Sequence, residues 1–204
     1  MSARKNGYYI YFGTTTEFLG VQNKIDNQVK ILNTVCDCRK IVVPREETDV
    51  IKSIMWRMPF GSFGRRYEYA FDQIQINGEP DFLYIRFVPL DRTFIRFLEE
   101  LRKRYSSAKI MLEIPTYPYK GELLHNLAMV PFYFKDIFYR GQVKRYVDRI
   151  VTLTDDRVIF GIPTIHIMNG IIVDDIPMVS GRNVSERGGG KPDCSSSHAE
   201  GARL

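Results

Sequence analysis

Short apolar segments alternate with amphipathic ones along most of this chain, and that alternation limits the folds open to it more than any other feature. The apolar segments have the length of β-strands. They run without regular polar interruption, as strands buried on both faces do. We therefore predict strands at Tyr8–Phe12, Lys40–Pro44, Phe82–Phe87, Lys109–Ile114, Arg149–Leu153 and Thr164–Met168.

Several segments between these strands carry apolar residues at helical spacing. A first helix would bury the apolar residues that recur from Val21 to Leu32. Asp91 can cap a second helix, whose buried face would run from Phe94 to Leu101. Alternating strands and helices form βαβ units, which predicts an α/β fold: a Rossmann-like, mostly parallel sheet with helices on both faces. Ligands of such sheets bind beyond the carboxyl ends of the strands, so the residues there are the candidate site.

Two regions have a weaker pattern. Residues 45–80 are rich in arginine and aromatic residues, and we interpret them as a helix, then a loop, then a short extended piece at Phe71–Ile76. A further helical region covers residues 121–147, with a break expected at Pro131.

Composition narrows the class of protein. The 204 residues are 44% hydrophobic and 26% charged, which suits one folded domain, and the net charge of +5 favours anionic partners. Three cysteines, including Cys36 and Cys38, form no secreted disulfide framework, and no histidine has zinc-type spacing to them. No apolar segment has the length of a signal peptide core or a membrane span. We expect reduced thiols, no metal and a cytoplasmic protein.

The chain changes character near its carboxyl end. The last aromatic residue is Phe160, and residues 180–204 hold five Gly, five Ser and no apolar period. A segment of that composition cannot bury enough surface to fold. We expect a folded domain at 1–179 and a disordered, low-complexity tail at 180–204.

The loop after the first predicted strand, Gly13–Val21, leads into a helix. A helix start presents free N–H groups to an anion, so this loop either holds a phosphate or forms an ordinary turn. Gly13 and Gly20 lie too far apart for a G-x-G-x-x-G loop, and no Gly-Lys-Ser/Thr sequence occurs. NAD-linked redox chemistry and ATP hydrolysis of the usual kinds lose support, and we expect no cofactor.

Two later loops carry candidate residues. At a predicted strand end, the Glu113 carboxylate could accept sugar hydroxyls or act as a base, and Tyr117 offers a flat face for a sugar ring. The alternative is a rigid loop, stiffened by two prolines, whose glutamate caps a backbone N–H. Asn169 and Gly170 follow a predicted strand and predict a plain turn, because nothing else in the sequence supports a functional role for them.

Phe132–Arg149 mixes aromatic and basic residues on an amphipathic segment. Such a segment can lie on an anionic membrane, although a core helix with a solvated face is the commoner structure. The same mixture would suit RNA, but no ribonucleoprotein or helix-turn-helix motif accompanies it. We expect no nucleic acid partner and keep a peripheral contact at the inner membrane face open.

An ordered set of segments carries a family resemblance. The set is Leu19–Ile25, Asp81–Phe87, Glu113–Tyr119, Tyr146–Thr152, Ile159–Ile162 and Ile165–Ile171. As a set it resembles the N-terminal half of bacterial glycosyltransferases of the GT-B fold, in the group called family 4 or group 1. The resemblance covers roughly residues 7–177, and the Glu113–Tyr119 segment and the order carry its weight.

The resemblance implies one half of an enzyme with two Rossmann-like domains facing a cleft. Such enzymes move a sugar from a nucleotide-sugar donor to a hydroxyl acceptor in polysaccharide or glycan synthesis, without a required metal. The N-terminal half receives the acceptor, here a sugar or a lipid-linked molecule. The negative charge on the leaving diphosphate is the main energetic cost of the reaction. The main catalytic groups are therefore the cations of the donor-binding domain, which stabilise that charge.

The resemblance also implies which residues bind substrate. The loop around Gly20 would approach the donor phosphates. Position 172 is Ile where the family commonly has Asp, which weakens a polar role for the turn before it. The implied substrate-binding set is Gly20, Val21, Lys24, Glu113, Thr116, Tyr117, Asn169 and Gly170.

The chain stops where the linker to the donor-binding domain should lead onward. We expect a truncated gene, most simply through a frameshift near codon 179, and a product that is inactive alone or needs a separate donor-domain chain. A nucleotide sugar would then bind weakly or not at all. The alternative function is a stand-alone binding module for an anionic membrane surface or nucleic acid.

Overall fold

The structure, a computed structural model, describes residues 4–13, 19–44, 50–58, 61, 65–124 and 130–168. Its strands are β1 (Asn6–Phe12), β2 (Asp37–Val43), β3 (Phe82–Arg86), β4 (Lys109–Ile114), β5 (Arg149–Thr152), β6 (Val158–Ile159) and β7 (Ile162–His166). Its helices are α1 (Leu19–Leu32), α2 (Val50–Arg57), α3 (Tyr67–Asn77), α4 (Arg92–Arg104), α5 (Lys120–Leu124) and α6 (Val130–Val143).

The strands form one seven-stranded sheet in the order β2-β1-β3-β4-β5-β7-β6. Every pairing along it is parallel except that of β6 with β7. The chain moves from β1 to β2 on one side and then returns to place β3 on the other side of β1. The order therefore reverses between β1 and β3, which is the switch point of a doubly wound sheet.

Helices cover both faces of the sheet. The larger core joins buried residues of β1, β3 and β4 to α3, α4 and α6, with Phe94, Leu98 and Leu101 of α4 fully buried. A second, smaller core lies on the opposite face, where Ile25 of α1 packs against Tyr9 and neighbouring side chains of the sheet. The predicted fold class, α/β with a Rossmann-like and mostly parallel sheet, is confirmed.

The predicted extended piece at Phe71–Ile76 is wrong, because these residues belong to α3. Tyr67, Ala70 and Ile74 are the buried residues of this helix, and their spacing of three and four is helical. The aromatic and β-branched residues around them favour a strand locally. Burial of this face against the sheet stabilises the helix instead.

The region after β4 differs from expectation in one place. We expect a break at Pro131, and the structure describes two helices here, with Pro131 in the first described turn of α6, where proline is tolerated. The short hairpin of β6 and β7 was not predicted. Its two-residue turn, Phe160-Gly161, has φ of 53° and 77°, the positive pair that tight hairpins need.

The predicted division at residue 179 and the tail at 180–204 lie outside the described residues. Within the part of the chain that the structure describes, no helix is both long and apolar enough to cross a membrane.

Candidate functional site

The site begins at the carboxyl ends of β3 and β4, next to the β1/β3 switch point. Parallel registration places Arg86 of β3 directly beside Glu113 of β4. Side chains of a strand alternate between the two faces, and these two share the face that α1 covers with Tyr9 of β1. The sheet thus brings a cation, a carboxylate and a phenol to one place.

Glu113 is the centre of a buried polar cluster, with a relative exposure of 1%. The Tyr9 hydroxyl donates to its Oε2 at 2.6 Å. Its Oε1 accepts from Gln28 Nε2 of α1 at 3.1 Å and from the Arg86 guanidinium at 3.2 Å. Both carboxylate oxygens are therefore engaged inside the protein.

The cluster balances its own charge. Burial of the carboxylate is tolerated because the Arg86 guanidinium pairs with it and two further donors reach it. Burial, and then the negative charge of Glu113, raise the pKa of Tyr9 well above its ordinary value, so Tyr9 stays a hydrogen-bond donor. Burial alone would lower the pKa of Arg86, but the Glu113 carboxylate together with Tyr9 and Tyr11 outweighs burial, and the net shift is upward.

A groove of about 390 Å³ opens beside this cluster. One wall is α1, which contributes Lys24, Gln28 and Leu32, and the floor is the sheet, which contributes Met111 and Ile165 among others. The lining is mainly apolar, so the groove suits an apolar group. Lys24 and Gln28 are polar residues of this lining, and Gln28 also bonds to Glu113 of the cluster.

Among the described residues, α1 is the helix that packs in the smaller core, and one helix cannot cover this face. A helix with its side chains is about 10 Å across, and strands lie about 4.8 Å apart, so one helix covers roughly two strands. α1 packs over the β1 side of the sheet. On the same face, Ile165 remains well exposed and Met111 is only partly buried.

Helix α1 carries three of the implied residues, of which Lys24 lines the groove. Gly20, Lys24 and Gln28 follow one another at intervals of four, so they share one face of the helix. A Cβ built on Gly20 would meet no atom of the described residues within 4 Å, so there is open space beside Gly20. Val21 packs instead with the smaller core.

The loop after β4 separates the other implied residues from Glu113. Tyr117 is half-buried, with its ring edge-on to Phe160 at 5.9 Å, and it packs with the larger core. Tyr119 is buried and donates to Asp136 at 2.7 Å, so its ring is part of that core. Thr116 is exposed. Lys24 thus shares a groove with Gln28 of the Glu113 cluster, while Tyr117 packs on the opposite side of the sheet.

Asn169 and Gly170 lie outside the described residues. Over residues 4–168, as far as they are described, no three His, Cys, Asp or Glu side chains come together as a metal site would require.

Burial raises the pKa of the Cys38 thiol to about 12, so the thiol is protonated at neutral pH.

Sequence reasoning missed three members of the cluster: Tyr9, Gln28 and Arg86. One signal for Arg86 was present, since it ends an apolar strand just as Glu113 does in the next strand along the sheet. Opposite charges at equivalent positions of two buried parallel strands predict an ion pair. No local pattern marks Tyr9 or Gln28, because their roles depend on how α1 packs.

Compared with models of known protein families and with curated protein sequences, the chain matches none of them. The fold and the cluster together define an α/β protein with a Rossmann-like sheet and a candidate ligand site beside its switch point.

Proposed function

We propose that this domain is the acceptor-binding half of a glycosyltransferase that moves a sugar from a nucleotide-sugar donor to a hydroxyl acceptor in glycan synthesis. One observation carries the proposal: the buried Glu113 cluster stands at the carboxyl edge of the sheet and adjoins an apolar groove. Polar groups beside an apolar channel suit a sugar that carries an apolar group, such as a lipid-linked acceptor.

The cluster suggests distinct roles for its members. Both Glu113 oxygens are engaged, so Glu113 acts as a positioning residue that holds Gln28 and Arg86 in place. Gln28 and Lys24 line the groove and are the groups that would meet acceptor hydroxyls or a phosphate. The order of segments that resembles GT-B glycosyltransferases supports the same assignment, with donor binding left to a second domain.

The proposal predicts that alkyl glycosides bind in the groove. The probes are hexyl glucoside, galactoside and mannoside, titrated calorimetrically below their micelle concentrations. Ile165→Trp would fill part of the groove and weaken binding of the preferred glycoside at least tenfold. Ile76→Trp is the matched control, because Ile76 is exposed on α3, which packs in the larger core on the opposite face of the sheet, and it should leave the affinity unchanged.

Two outcomes would contradict the proposal. One is that no glycoside of the panel binds, or that Ile165→Trp binds as tightly as the wild type. The other is robust sugar transfer from a nucleotide sugar by this chain without added protein, because the proposal assigns donor binding elsewhere.

A further inference from the structure

Tyr84 of β3 stands where the buried cluster meets the groove. Its ring stacks on the ring of Tyr9, a member of the cluster, with the two centroids 4.9 Å apart. On its other side, the parallel pairing of β3 with β4 places it beside Met111, and Tyr84 and Met111 both line the groove. Tyr84 therefore borders the polar cluster on one side and the apolar floor of the groove on the other.

The hydroxyl of Tyr84 has no hydrogen-bond partner among the residues that the structure describes. Glu113, Tyr9 and Arg86 lie close enough to act on it electrostatically, but none of them forms a hydrogen bond with it. The side chain is only 7% exposed, yet its oxygen is not sealed from solvent, and the groove supplies open space beside it. A ligand that displaces water from this groove must therefore offer the hydroxyl a new partner or lose that hydrogen bond.

The Tyr84 hydroxyl is suited to donate this bond. Burial, followed by the negative charge of Glu113, raises the pKa of Tyr84 well above its ordinary value, so the hydroxyl keeps its proton at neutral pH. The Glu113 carboxylate accepts from Tyr9, Gln28 and Arg86 and not from Tyr84. The proton of Tyr84 is therefore available to an oxygen of a bound molecule.

A sugar that carries an apolar group has one oxygen at the boundary between its two parts, namely the glycosidic oxygen that links them. This oxygen accepts hydrogen bonds but has no proton, so it needs a donor when it is buried in an apolar groove. Tyr84 lies at the matching boundary of the protein, between the polar cluster and the apolar floor.

We propose that Tyr84 is a specificity-determining residue whose hydroxyl donates to the glycosidic oxygen between a bound sugar and its apolar group. The ligand class is then the O-glycosides of apolar alcohols. This inference rests on the proposed acceptor function, and it adds which ligand atom the groove recognises and which residue recognises it.

Replacing the glycosidic oxygen by sulfur tests the contact, because a thioether sulfur is a weak hydrogen-bond acceptor. The hexyl glycoside that binds best of the three and its 1-thio counterpart are titrated calorimetrically into the wild type and into Tyr84→Phe. We expect the wild type to bind the oxygen compound about fivefold more tightly than the sulfur compound. Tyr84→Phe should bind the two compounds equally, because it has lost the donor that distinguishes them.

Tyr69→Phe, on the exposed side of α3, is the matched control and should keep the preference for oxygen. Urea denaturation should show Tyr84→Phe to be as stable as the wild type, because its hydroxyl bonds to no described residue. A clear loss of stability would mean that the hydroxyl has a partner inside the protein, and it would overturn the inference.

The calorimetric results separate this inference from the acceptor proposal. If the wild type binds hexyl glycosides without preferring oxygen, or if Tyr84→Phe keeps the preference, the role of Tyr84 is overturned and acceptor binding stands. If no hexyl glycoside binds to the wild type, both proposals are overturned.

Discussion

At the scale of single residues, the Tyr9 hydroxyl determines how the buried cluster is satisfied. Its oxygen lies 2.6 Å from Glu113 Oε2 and 2.8 Å from Gln28 Oε1, yet the hydroxyl has one proton to donate. The shorter contact, to a charged acceptor, is the stronger of the two. The cluster therefore depends on Tyr9 to satisfy one of the two oxygens of a carboxylate buried away from water.

Tyr9→Phe tests this dependence. It removes the hydroxyl and keeps the ring, which stacks on Tyr84 at a centroid distance of 4.9 Å. We expect the free energy of unfolding to fall by about 1–3 kcal/mol, because a buried carboxylate oxygen loses its donor. Urea denaturation measures the change.

Tyr69→Phe, on the exposed side of α3, serves as the control and should change the stability little. Equal stabilities for the wild type and Tyr9→Phe would mean that the carboxylate oxygen finds another donor, and the role given to Tyr9 would be wrong.

At the scale of elements, local signals predict some elements well and others poorly. The cap of α4 is confirmed, because Asp91 Oδ1 accepts from the Phe94 amide at 2.7 Å, and both residues lie within one short segment. Helix α3 and strand β6 were missed because their states depend on distant partners. α3 is stabilised by packing on the sheet, and β6 pairs only through the hairpin turn at Phe160.

Asp148 joins three of these elements and gives a pH-dependent prediction. Its Oδ2 accepts from the Ile110 amide of β4 at 2.9 Å and from Arg102 of α4 at 2.6 Å, just before β5 begins. Partial burial by itself raises the pKa of Asp148, but the Ile110 amide and Arg102 outweigh it and hold the pKa below its usual value.

A carboxyl group with a lowered folded-state pKa stabilises the protein above the unfolded-state pKa of about 3.9, and the effect is lost as the pH falls through the folded-state value. Asp148→Asn should therefore lower stability by about 1–3 kcal/mol at pH 7 and by less at pH 3. Urea denaturation at both pH values measures this, with the exposed Asp72→Asn as control. A difference that grows towards pH 3 would contradict the assignment.

At the scale of the whole molecule, the sequence predicts the sheet but only part of the site. Strands and helices alternate repeatedly along the chain, so the prediction of the α/β class stays correct even where single elements are predicted wrongly. The cluster needs more, because Gln28 and Glu113 are 85 residues apart and meet only through the packing of α1. The position of Glu113 at a predicted strand end marks it as a candidate and the resemblance implies Lys24, whereas Arg86 follows only once the β3–β4 register is known.

The groove also arises at this scale, because it is the part of one sheet face that α1 leaves uncovered. Methyl-resolved NMR spectroscopy during titration with the preferred hexyl glycoside tests its role most directly. The account predicts shifts at the methyl groups of Met111 and Ile165 in the groove, and none at Ile51 on α2 or Ile76 on α3. Shifts at Ile51 without shifts at Met111 and Ile165, or no shifts at all, would contradict acceptor binding in the groove.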